Sequence, residues 1–227
     1  MPKKALEKII DQAEQRLELL KELGINSFPR EKVEPIFRKK TLALKRLREE
    51  IGDCQRCGLA KTRARIVFGE GDPSAEVVFV GEAPGEKEDL SGKPFVGPAG
   101  KLLTDIIELG MRIPRSRVYI CNVVKCRPPE NRDPKREEIS ACQRFLKKQL
   151  DIVQPKVIIA LGKHSAQWLL EKEEPISQLR GKWGEYNGIM VMPTYHPAYL
   201  LYNRAGKREL WMDIKKVIEY LKKGEIG

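Results

Sequence analysis

Val77-Val78-Phe79-Val80 runs directly into Gly81-Glu82-Ala83-Pro84-Gly85-Glu86-Lys87-Glu88-Asp89. Four apolar residues without polar alternation, closed by glycine and proline, fit a strand buried on both faces and are too few for a helix. Three more runs of this kind follow: Val118-Tyr119-Ile120, Val157-Ile158-Ile159-Ala160-Leu161 and Ile189-Met190-Val191-Met192. Helical periodicity fills the intervals. A helix is predicted over 98–109, with Leu102, Leu103, Ile106 and Ile107 on one face. Another over 133–150 has Asp133 as N-cap and Pro134 at its first position. A third starts near Lys163, and the last covers 209–222 with Leu210, Ile214, Val217, Ile218 and Leu221. Alternating β and α predicts a three-layer α/β/α domain around a central four-stranded, mainly parallel sheet.

Upstream the pattern is purely helical. Leu6, Ile9, Ile10, Ala13, Leu17 and Leu20 recur at helical steps over 3–23, with Gly24 as C-terminal cap. A link containing Pro29 and Pro35 leads to a second helix over 41–51. The predicted organisation is therefore a helical extension over 1–45 and one α/β domain over 46–227. Of the 227 residues, 43 are Lys or Arg and 32 Asp or Glu, a net charge of +11 that favours a polyanionic partner. No apolar run approaches the ~20 residues of a membrane span, and the N-terminus lacks the apolar segment of a signal peptide. A cytoplasmic, nucleoid-associated protein is expected.

Ligands of open α/β sheets gather at the carboxyl ends of the strands. Here those ends carry Glu82 after the first run, Asn122 after the second and His196 after the fourth, in Thr194-Tyr195-His196-Pro197. A carboxylate, an amide and an imidazole thus share one rim. Phosphate loops are excluded: Gly100-Lys101 has Phe95 where the motif needs glycine and Leu102 where it needs Ser or Thr, and Gly81-x-x-x-Gly85 lacks the dinucleotide fingerprint. His164, at a predicted helix start, reads as a surface or capping residue.

Five cysteines, an odd number, argue against a disulfide framework. Cys54-Gln55-Arg56-Cys57 is a C-x-x-C knuckle; Cys126 and Cys142 are separated by fifteen residues, and Cys121 reads as a core residue. Four thiolates suit zinc or an iron–sulfur cluster, and spacing leaves both open. Cys126 and Cys142 as ordinary buried thiols is the plainer alternative.

Gly81 to Asp89, with Gly92-Lys93-Pro94-Phe95-Val96-Gly97-Pro98-Ala99-Gly100-Lys101-Leu102-Leu103, resembles the first motif of the family 4, iron–sulfur uracil-DNA glycosylases of thermophilic bacteria and archaea. Asn122 with Lys125-Cys126-Arg127-Pro128-Pro129-Glu130-Asn131-Arg132 resembles the second, and Thr194-Tyr195-His196-Pro197-Ala198-Tyr199-Leu200-Leu201 the third. The resemblance spans roughly 50–222. It implies the uracil-DNA glycosylase fold, a structural [4Fe–4S] cluster on Cys54, Cys57, Cys126 and Cys142, and excision of uracil from single- or double-stranded DNA by a monomer.

The same resemblance assigns roles. Phe95 stacks on the everted ring; Asn122 reads its polar edge; Glu88 stands near the C5 edge; His196 stabilises the departing uracil anion. Ala83 stands where the best-studied glycosylases carry Asp, so Glu82 is assigned to orienting the water. Leu200 and Leu201 are expected to enter the minor groove, with Arg204 and Lys182 on phosphate and Arg180 and Trp183 nearby. The rival reading is a non-catalytic iron–sulfur DNA-binding protein of replication or repair. No motif establishes a sliding-clamp contact.

Overall fold

The computed structural model describes residue 18 and residues 30–223. Apart from residue 18, the predicted helix over 3–23 lies outside them. The chain divides into compact units at 1–39 and 40–227. Helix α1, Arg30–Ile51, is longer than predicted and runs through Pro35, which sequence reading placed in a link. Proline withdraws one N–H and crowds one carbonyl a turn earlier, a cost confined to the start of this helix. Towards its end Leu44, Leu47 and Ile51 form a buried stripe, and Gly52, at φ +50°, terminates it.

Strand β1, Glu70–Gly71, is followed by β2, Val77–Gly81. Then come α2, Glu86–Ser91; α3, Pro98–Asp105, closing in a wide turn at Ile106–Gly110; and β3, Tyr119–Asn122. Helix α4, Arg136–Val153, leads to β4, Val157–Leu161, and α5, Lys163–Leu170. The chain continues through α6, Ile176–Leu179; β5, Gly184–Tyr186; β6, Ile189–Thr194; α7, Pro197–Tyr202; and α8, Gly206–Lys223. No described helix is long and apolar enough to cross a membrane.

The four predicted strands are the parallel centre of a sheet ordered β1-β3-β2-β4-β6-β5. The sheet has six strands rather than four, because β1 and β5 add antiparallel edges. Two and three residues are too short to show a period, so neither edge was legible in sequence.

Alternation along each strand builds the layers. Val78, Val80, Tyr119, Cys121, Ile158 and Ala160 pack on one face with Phe145, Leu146 and Leu150 of α4. Val77, Phe79, Ile120, Val157, Ile159 and Leu161 pack on the other with Leu103 of α3 and Leu210, Ile214 and Val217 of α8. Burying each large side chain contributes about 1.5–3 kcal/mol. A central strand apolar at every position serves both cores.

Helix α4 begins at Arg136, beyond the predicted Asp133. Proline at 134 pushes Asp133 towards extended backbone. Glu138 caps instead: its Oε2 accepts the Lys135 N–H at 2.8 Å, and both its oxygens accept the Arg132 guanidinium, at 2.9 and 2.6 Å. Inside the domain lies a fully buried lysine side chain. Lys125 Nζ donates to the Asn122 carbonyl at 2.7 Å and to Gln149 Oε1 at 2.5 Å. Gln149 Nε2 donates in turn to the Phe68 carbonyl at 2.8 Å and the Tyr119 hydroxyl at 2.9 Å. This network ties α4 to the tip of β3, where Asn122 sits. Gln149→Leu removes one partner of a buried donor and should cost about 2–4 kcal/mol of unfolding free energy, read as a lower denaturation midpoint; an unchanged midpoint refutes that role.

Candidate active site

The tips of β2, β3 and β6 open onto one cavity of about 350 Å³, lined by Glu82, Ala83, Glu88, Phe95, Asn122 and His196 among others. The sequence-predicted acid, amide and imidazole therefore share a single space. Gly81 and Asn122 are directly paired across β2 and β3. A Cβ on Gly81 would lie 2.3 Å from Asn122 Oδ1 and 2.7 Å from Phe95 Cζ. Only glycine lets amide and ring close together.

Phe95 is held from several sides. Its backbone takes φ +53°, a conformation that a bulky residue adopts only when its surroundings impose it. Arg115 Nη2 donates to the carbonyls of Pro94 and Phe95 at 3.0 and 3.2 Å. Gly100 lies so close beneath that a Cβ there would meet the Phe95 carbonyl oxygen at 2.0 Å. Glu88 Oε1 accepts the N–H groups of Val96 and Gly97, both at 2.8 Å. Expected at the edge of a bound base, Glu88 does line the cavity, but this oxygen is committed to the loop that carries the ring.

Asn122 is 1% exposed, and its Oδ1 is the buried side-chain acceptor without a partner among the described residues. Such an orphan is costly unless a ligand supplies the donor. Opposite it, the rings of Phe95 and His196 lie 5.5 Å apart between centroids. His196 caps α7: its Nδ1 accepts the Ala198 N–H at 3.1 Å. That bond assigns the proton of the neutral ring to Nε2. Burial pushes the imidazole pKa down to about 4, so the ring is neutral at physiological pH. Gly162, at φ +90°, backs the ring; a Cβ there would stand 3.0 Å from His196 Cβ. Just before it, Thr194 donates to Asp213 Oδ2 at 2.7 Å, and Arg180 Nη2 donates to Asp213 Oδ1 at 2.6 Å. Arg180, expected near phosphate, instead ties the end of α6 to α8 through Asp213 and the Glu209 carbonyl.

Burial raises the Glu82 carboxyl above the ordinary carboxylate range, opposed by His164 and Lys163 and reinforced by Asp133. His164 was expected at the surface, yet its side chain is only 16% exposed, with Nε2 3.9 Å from Glu82 Oε2. It follows Gly162 at the tip of β4, the same rim, which is the signal that marks it. Pro128, Asn131 and Arg132 also line the cavity, although sequence reading gave them no role.

Beyond His196, Leu200 is 1% exposed and packs in the core with Phe95 and Leu210, which excludes it as a groove-entering side chain. Leu201 is exposed, and Tyr202 is 91% exposed. Arg204 and Lys182 both face solvent.

The four cysteines of the proposed set, Cys54, Cys57, Cys126 and Cys142, line one small pocket with Arg56, Arg63 and Lys125. Donors point at the sulfurs: the Lys125 N–H is 3.3 Å from Cys142 Sγ, and Arg56 Nη1 is 3.3 Å from Cys54 Sγ. Arg63 Nη1 donates to the Cys54 carbonyl at 2.7 Å and lies 3.7 Å from Cys126 Sγ. Cys121 stays apart, fully buried in the sheet core.

Residues 68–221 match the family model of the uracil DNA glycosylase superfamily. The type-4 uracil-DNA glycosylase of Sulfurisphaera tokodaii is 48% identical over 78% of this chain and 84% of its own length. That of Thermotoga maritima is 46% identical over 77% of this chain and 93% of its own. A type-5 uracil-DNA glycosylase of Pyrobaculum aerophilum is more distant, 32% identical over 59% of this chain and 66% of its own. With its parallel sheet, its cavity at the strand tips and these likenesses, the chain belongs to the uracil DNA glycosylase superfamily, on the side of the type-4 enzymes.

Proposed function

We propose that the chain hydrolyses the N-glycosidic bond of uracil turned out of DNA, leaving an abasic site for base-excision repair. The orphan acceptor of Asn122 carries this reading. Uracil N3–H supplies the missing donor to Oδ1, while the amide NH₂ faces uracil O4. Cytosine has no hydrogen on N3 and presents a donor in place of O4, so both groups would be left unpaired. Phe95 offers a fixed face for the ring, and uracil opposite guanine is the cheapest base to extract because its pairing is already poor.

Breaking C1′–N1 leaves the bonding pair on uracil and positive charge on the sugar. His196 donates from Nε2 to uracil O2, and its low pKa keeps it a neutral donor, so uracil departs as an anion. Glu82, ionised, holds the water that bonds to C1′ and faces the developing cation; the water's proton leaves through it. With no carboxylate at Ala83, Glu82 performs both tasks. Leu201 and Tyr202 replace Leu200 as the side chains that fill the vacated stack, Arg204 and Lys182 contact phosphate, and the charge of +11 makes binding salt-dependent.

Cys54, Cys57, Cys126 and Cys142 would hold a [4Fe–4S] cluster. Among the described residues, the trio of His, Cys, Asp and Glu ligand atoms gathered within 4.8 Å is Glu82, Asp133 and His164, so the sulfurs are more widely spread. One tetrahedral zinc needs sulfurs about 3.8 Å apart, which favours the larger group. Bound there, it supplies a cross-link between the knuckle, the end of β3 and α4. Purified protein should then contain four irons per chain, and Cys126→Ser should lose them together with thermal stability; zinc in their place refutes the assignment.

His196→Ala should lower kcat about 10²–10³-fold while the affinity for uracil-containing DNA stays within a few-fold. Equal losses in both would instead favour a DNA-binding protein without catalysis. Because the folded Glu82 pKa is raised, kcat/KM should fall as pH drops through a value above 4.5. Glu82→Gln should abolish that limb and cost about 10²–10⁴ in kcat; a limb that persists in the variant excludes Glu82. Tyr202→Ala should weaken binding to uracil-containing duplex by about 1–3 kcal/mol in a titration against the parent protein.

A further inference from the structure

We propose that Glu82, Asp133 and His164 form a site for a divalent transition-metal ion of the zinc class, and that its occupancy silences excision. The second half of this inference rests on Glu82 acting in the reaction; the first does not. The three side chains come from separate places in the chain: the tip of β2, the segment before α4 and the first turn of α5. His164 Nε2 lies 2.8 Å from Asp133 Oδ2 and 3.9 Å from Glu82 Oε2, and all three ligand atoms are within 4.8 Å of one another. At metal–ligand distances of about 2.0–2.2 Å, the ligands of one ion stand about 3.0–3.6 Å apart. Small side-chain rotations reach that spacing.

The donor set selects the metal. One imidazole nitrogen with two carboxylate oxygens suits zinc, cobalt or nickel, whereas calcium and magnesium prefer oxygen alone. Two carboxylates bring the charge that a divalent ion neutralises. A plain surface His–Asp pair accounts for two of these groups but not for the third. Among the described residues the Glu82 backbone carbonyl accepts the Val124 N–H, but its carboxylate makes no hydrogen bond and pairs instead with this same imidazole nitrogen, at 3.9 Å. The Asp133 side chain is 73% exposed, so an ion can enter from solvent.

Binding takes the Nε2 lone pair of His164, with the ring's single proton on Nδ1, and draws the Glu82 carboxylate onto the metal. It also sets a positive ion beside the place where the sugar cation forms. Excision stops for both reasons, and a chelator restores it.

The test uses the full-length protein with its cysteine site intact and Zn²⁺ as probe, at about pH 8. Calorimetry counts zinc sites while uracil release is measured in parallel. The expected result is one zinc site in the parent that is lost in His164→Ala, and half-inhibition at a zinc concentration at least ~10-fold higher in the variant. Asp133→Asn, at an exposed position, should shift inhibition in the same direction and covers the case in which His164→Ala folds poorly. Zinc binding and inhibition identical in parent and both variants would overturn the proposal and place the zinc elsewhere, including on the cysteines. If zinc-free parent protein releases no uracil, the glycosylase reading fails, while the calorimetric difference between parent and variant still decides the metal site.

Discussion

Between Gly81 and its neighbours there is no room for a methyl group, and the site depends on that closeness. The absent side chain lets the amide of Asn122 and the ring of Phe95 meet over the tip of β2. Parallel pairing of β2 with β3 sets the register that brings Gly81 level with Asn122. Packing therefore places a flat apolar face at right reach from a buried acceptor. A planar heterocycle with a ring N–H fits such a space.

The cost of that design is a set of polar groups removed from water, and each is handled differently. Lys125 is satisfied internally by Gln149 and the Asn122 carbonyl. Asp213 is satisfied by Arg180 and Thr194, which stiffens the strand before His196. Asn122 Oδ1 is left open. The structural polar groups named here are paired and the group proposed for recognition is not, a difference that needs no appeal to relatives.

In the proposed reaction, electrostatics divides the labour between His196 and Glu82. Both are desolvated, yet burial acts on them with opposite chemical consequences, since it disfavours the charged form of each. For the imidazole this is useful: a neutral ring with its tautomer fixed by Ala198 is a donor that keeps its proton. For the carboxylate it is a strain, relieved in part by His164 and Lys163. On the proposed mechanism, the neighbours of Glu82 bear on the reaction as directly as the residues that line the cavity.

Strand runs, apolar helix faces and motif order, all local properties, determined the α/β class and the four central strands, and pointed to Glu82, Asn122, Phe95 and His196, which line one cavity. Burial is written in periodicity, and periodicity survives in one dimension. The edge strands were too short to carry a period, and Asp133 lost its predicted cap to the proline after it. Leu200 and Leu201 look equivalent in the sequence; only the turn of α7 sends one into the core and leaves the other in solvent. The tertiary structure alone decided that Glu88 grips the Phe95 loop, that Arg180 serves Asp213, and that His164 and Asp133 converge on Glu82 from 82 and 51 residues along the chain. Those contacts follow from the order of strands in the sheet, which no local pattern encodes.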